Sequence, residues 1–98
     1  MEKIPHLKRY LFRERLVRAI LKEWREKKDK IYLRSIYYKY DLPYFKCRDF
    51  LSKLARDNVV VIVKEDKDRI IRKPHIAFSL PPEGVERLNN ELLYASTI

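Results

Sequence analysis

The segment Asp41 to Lys73 reads DLPYFKCRDFLSKLARDNVVVIVKEDKDRIIRK. Its first half sets Tyr44, Phe45, Lys46, Arg48, Ser52 and Lys53 around the apolar residues Cys47, Leu51 and Leu54. At 100° per residue Cys47, Leu51 and Leu54 share one side of a helix, with Phe50 at its edge, while Phe45, Arg48, Asp49, Ser52 and Arg56 point away. Those outward types suit a polyanion. Arginine bonds guanine bidentately, serine bonds a base or a phosphate, an aromatic meets a thymine methyl, and lysine holds phosphate. Other chemistries lack their parts. With a single glycine, Gly84, there is no phosphate-cradling loop, and no nucleophile–base pair or evident carboxylate pair is present. The chain is therefore not expected to be an enzyme. Cys47 is the one cysteine, which excludes an intramolecular disulfide and a multi-cysteine zinc site. His6 and His75 have no cysteine or carboxylate at metal-ligand spacing, so neither a metal nor a cofactor is expected. Cys47 is expected to be buried as a small hydrophobe rather than to act as a redox switch.

The 98 residues are enough for one domain, and a hydrophobic content of 46% argues against disorder although 38% is charged. The net charge is +9, an excess that favours polyanionic partners and also keeps a surface soluble. It is uneven. Residues 1–30 carry +6, residues 31–58 carry +3, and residues 82–98 carry −2, which makes the last segment a poor anion-binding face. The bias toward Lys, Arg, Glu, Ile and Tyr resembles that of hyperthermophile proteins. Met1 to Tyr10 is charged throughout and predicts no signal peptide. The longest apolar run, Val59 to Val63, is too short to span a bilayer, so no membrane association is expected and the location expected is cytoplasmic, with the nucleoid or a virus-infected cell as settings.

These residues need elements to position them. Apolar residues at Phe12, Leu16, Ile20 and Trp24 predict an amphipathic helix from about Leu7 to Lys28. Ile31 to Leu33 suits a brief strand, and Ser35 a helix start. Asp41 suits an N-cap with Pro43 at the first helical position, so that two short helices meet across a tight turn. The second of these runs to Arg56 or Asp57, and Asn58 takes the left-handed conformation that closes it. Val59 to Val63 reads as a strand and Lys64 to Lys73 as a charged loop or hairpin tip. Ile76, Phe78 and Leu80 alternate with His75, Ala77 and Ser79, which predicts one buried and one wet face. Pro82 starts a last helix carrying Val85, Leu88, Leu92 and Leu93, with Glu83 and Glu86 at its positive end.

The resulting order is helix, short strand, helix, helix, β-hairpin, helix, an α+β class. It resembles the winged helix-turn-helix family. FLSKLARDNVV is similar to the end of the recognition helix leading into the first wing strand of MarR-type and PadR-type regulators. FSLPPEGVERL is similar to their strand-to-last-helix junction, with Pro81 where threonine is usual. The resemblance covers Leu16 to Leu93 and implies a winged-helix domain over 16–96, preceded by a basic stretch, 1–15, that extends the first helix or forms an arm. It implies double-stranded DNA as partner, with Tyr44, Phe45, Lys46, Arg48, Ser52 and Lys53 facing the groove and Lys39 on the backbone. In the wing, Lys67, Arg69, Arg72 and Lys73 contact DNA, although their mixture with Glu65, Asp66 and Asp68 equally suits a soluble hairpin edge. A homodimer through Leu88, Leu92 and Leu93 is expected, acting as a small transcription regulator. No small-molecule ligand is evident. Asp49 either pairs with Lys53, accepts from cytosine, or marks a helix used otherwise. Phe45 is expected to gain more by packing against the preceding helix than by exposure. The rival readings are an RNA-binding or ribosome-associated winged helix and a protein-interaction module.

Overall fold

The computed structural model describes residues 5–66 and 75–96. The described residues form four helices and a three-stranded antiparallel sheet. In chain order they are α1 (Pro5–Lys27), β1 (Ile31–Tyr32), α2 (Leu33–Lys39), α3 (Tyr44–Arg56), β2 (Val61–Asp66), β3 (His75–Ser79) and α4 (Pro82–Ser96). The order agrees with that expected from the sequence. Helix α1 is continuous from Pro5, so residues 5–15 are its first turns.

Two short helices sit back to back because their ends are closed by left-handed residues. Asp41 has φ 52°, and the Leu42 amide behind it donates to the Tyr37 carbonyl at 3.1 Å. Asp41 thus ends α2 instead of capping α3, and Pro43, extended at φ −64° and ψ 128°, is the residue before α3. Asn58 closes α3 in the expected way. It has φ 61°, its amide donates to Ala55, and the next amide, Val59, donates to Leu54 at 2.9 Å. This pair of bonds is the Schellman arrangement, which satisfies carbonyls the helix leaves open. Ser35 does not start α2, which begins at Leu33 directly after β1 with no side-chain cap. Its hydroxyl instead lies 3.4 Å from the Lys27 ammonium.

The sheet order is β1-β3-β2, so β3 is central. Ile31 and Tyr32 pair with Phe78 and Ala77, and β2 pairs along the other edge from Val61↔Ser79 to Asp66↔His75, with a bulge between Ile62 and Lys64. Strand β2 starts two residues later than expected and takes in Lys64, Glu65 and Asp66, which the sequence assigns to a charged loop or hairpin tip. Ala77 is buried, not wet. It sits at the middle of the central strand, paired with Tyr32 on one side and Lys64 on the other. Helices α1, α2 and α3 contribute Leu16, Ile20, Ile36, Cys47 and Leu51 to the same core cluster as Phe78, which is fully buried.

Helix α4 packs on α1, with an ion pair from Arg13 to Glu91. At its start Gly84 is buried against the end of α3. A Cβ there would lie 1.8 Å from the Val59 carbonyl oxygen, so glycine is required for the approach. Leu88 is 2% exposed and Leu92 packs against the core. Leu88, Leu92 and the apolar side of α1 are therefore spent within the subunit and not kept for a partner. Leu93, at 65% exposure, is the expected interface residue left outside, beside exposed Tyr94. Among the described residues no helix is long and apolar enough to cross a membrane.

Candidate nucleic-acid interface

Helix α3 is thirteen residues long, which makes it a rod of about 20 Å. Its inner side, Cys47, Leu51 and Leu54, is buried. Its outer side is exposed along its length: Phe45, Lys46, Arg48, Asp49, Ser52, Lys53 and Arg56. The surface thus carries four cations, one carboxylate, one hydroxyl and one aromatic ring. The Ser52 hydroxyl donates to the Arg48 carbonyl at 3.0 Å, one turn back along the helix, leaving its oxygen lone pairs outward. The Lys46 ammonium lies 5.7 Å from the Phe12 ring centre.

Two expectations about the aromatics reverse. Phe45 is 71% exposed and is not packed under α2. Tyr44, expected in the groove, is half-buried against the core, edge-on to Tyr37 at 5.1 Å. As the first residue of α3 it fills the angle between the two helices, and that placement holds Phe45 outside, edge-on to Tyr44 at 5.2 Å. The row continues from Tyr37 to Tyr38 at 5.6 Å, and Tyr38 is 71% exposed with the Arg34 guanidinium 5.2 Å from its ring centre. A line of four rings therefore crosses from α2 to α3 and ends in exposed aromatics at both sides.

Lys39, expected to contact a nucleic-acid backbone, is half-exposed and paired with carboxylates. Its ammonium lies 3.2 Å from Glu23 and 3.6 Å from Glu26. Glu23 is 1% exposed within the apolar stripe of α1 and also approaches Lys27 at 3.7 Å and the Tyr40 hydroxyl at 3.4 Å. Burial acts to raise its pKa, but the Lys39 hydrogen bond and the charges of Lys39 and Lys27 outweigh it and bring the carboxyl below its ordinary value. The Lys39 ammonium is correspondingly raised, first by its bond to Glu23. The sequence reading missed this network. Its visible sign was a glutamate three residues after Ile20 and beside Trp24, where the helical period calls for an apolar residue.

Cys47 is a free, buried thiol pushed up to about 11 by desolvation, as befits a core residue. His75 is half-buried at the start of β3. The expected hairpin cations Lys67, Arg69, Arg72 and Lys73 lie outside the described residues. Among the described residues no cluster of His, Cys, Asp or Glu could hold a metal ion. No family model, curated protein or solved structure matches this chain.

Proposed function

We propose that the chain is a winged helix-turn-helix protein that binds double-stranded DNA in a sequence-specific manner, and that it serves as a small homodimeric transcription regulator. One observation carries this reading: the outer face of α3 is exposed from Phe45 to Arg56 and bears Lys46, Arg48, Lys53 and Arg56 on a rod anchored by Cys47, Leu51 and Leu54. A B-DNA major groove, about 12 Å wide, admits one such helix. Arg48, in the middle of the face, is the residue for a guanine edge. Phe45 at the leading end is the residue for a thymine methyl. Lys46, Lys53 and Arg56 hold phosphates and set the register without reading sequence. Tyr44, packed against the core, and Lys39, paired with Glu23 and Glu26, are assigned no DNA contact.

Selection of bound duplexes from a random pool tests the reading. A two-fold symmetric consensus is the expected result. Arg48→Ala should then relax discrimination at one base position by about 1–3 kcal/mol. Absence of any consensus, together with tighter binding of structured RNA, would discard it. One observation favours a second reading, that of a single-strand or RNA binder: the exposed rings of Tyr38 and Phe45 at the ends of the aromatic row offer faces on which unpaired bases stack.

A further inference from the structure

Away from the outer face of α3, the C-terminal half of α1, β1, the outer side of α2 and the start of β3 border a shallow, open depression of about 670 Å³, within the size range of small-ligand sites. It is not visible in the sequence, because its lining comes from four separate elements. Its lining includes Glu23 and Lys27 from α1, Arg34, Tyr38 and Lys39 from α2, and His75 from β3. We infer that this depression binds a nucleotide, a planar aromatic ring carrying a phosphate, through the cations Lys27, Arg34 and Lys39 and the ring of Tyr38.

The charge decides for an anion. Three cations and one carboxylate line the depression, a formal excess of two positive charges from Lys, Arg and Glu. Glu23 does not oppose an anion on equal terms, because it is buried and already answered by Lys39 at 3.2 Å and Lys27 at 3.7 Å; Glu26 also lies 3.6 Å from Lys39, so Lys27 and Arg34 carry more of the attraction than Lys39 does. Those contacts hold both ammoniums in place, and each keeps further N–H donors. Lys27 is held a second time by Ser35. The aromatic lining decides for a ring. Tyr38 is 71% exposed although large and apolar over its ring, and Arg34 lies 5.2 Å from its centre. Stacking of a base on such a ring, beside a guanidinium, contributes on the order of 1–3 kcal/mol.

The same chemistry comes from a free mononucleotide or from one residue of a single strand, and the test separates them. The amide NMR spectrum of the whole chain is titrated with adenosine 5′-monophosphate, adenosine, inorganic phosphate and a short oligothymidylate. The expected result is saturable binding of the monophosphate, with Kd below about 1 mM, and shifts at Lys27, Arg34, Ser35 and Tyr38. Adenosine and phosphate alone should bind at least about tenfold more weakly, since each forfeits one half of the contacts. Tyr38→Ala and Arg34→Ala, both at exposed positions, should each weaken the monophosphate about tenfold, while Lys22→Ala, which removes an exposed cation elsewhere on α1, should not. Tighter binding of the oligothymidylate, with the same shifts, assigns the site to a strand. No saturable shift below about 10 mM, or shifts confined to α3, overturns the inference. DNA selection with wild-type protein is read separately, so failure here and failure of the duplex-binding proposal remain distinguishable.

Discussion

Glu23 keeps a charge inside the apolar face of α1 because Lys39, Lys27 and Tyr40 reach it. Its pKa in the fold lies below the ordinary 4.5. A carboxyl with a depressed folded value stabilises the protein above its unfolded pKa, and that stabilisation is lost as pH falls through the folded one. Acid titration of urea stability should therefore show a decline beginning near pH 4.5 that Glu23→Gln lacks. Near neutrality the variant should be less stable by about 1–3 kcal/mol, since Lys39 and Tyr40 lose a charged acceptor but retain water. Parallel acid profiles for the two proteins would deny the network any role. Cys47 should resist thiol reagents in the native protein and react on unfolding, as its burial and its pKa of about 11 require. Rapid native modification would show it accessible. The burial of Cys47 was legible, because helical period alone assigns its side. The fates of Phe45 and Lys39 were not. A helical wheel says which way a ring points, not whether a neighbour covers it, and the carboxylate that takes Lys39 lies sixteen residues away on another helix.

Helix ends carry much of the specification at the next scale. Asn58→Gly should be tolerated, whereas Asn58→Ala should cost about 1–2 kcal/mol, because a Cβ is disfavoured at φ 61° without a local hydrogen-bonding side chain. Gly84→Ala should cost about 3 kcal/mol, the upper end for overpacking, since its methyl would meet the Val59 backbone. Thermal melts of the two alanine variants check both, and a Gly84→Ala protein as stable as wild type would mean that α4 seats differently. Asn58 was legible as a helix terminator. Asp41 was not, because aspartate serves equally as a left-handed terminator and as an N-cap. The Leu42–Tyr37 hydrogen bond decides between them. The alternation in β3 was visible, yet its central place was not, because the pairing of β1 with β3 joins segments far apart in the chain.

Across the whole molecule, positive charge is concentrated in residues 1–58 and the last helix is acidic. If a dimer covers on the order of six to ten phosphates, log affinity for duplex DNA should fall with log salt at a slope of about −5 to −9. A flat salt dependence would exclude the proposed mode. Helix α4 bears on the proposed dimer as well. It is seated by Gly84 on the Val59 carbonyl, held by Arg87 on the Asp57 carbonyl at 3.0 Å, and plugged into the interior by Leu88. A subunit so sealed has no need of a companion to keep its shape. Pairs built on what α4 leaves outside, chiefly Leu93 and Tyr94, would come apart into intact halves. Two differently labelled preparations, once mixed, would then scramble into hybrids at the pace of simple encounter, with no unfolding step between.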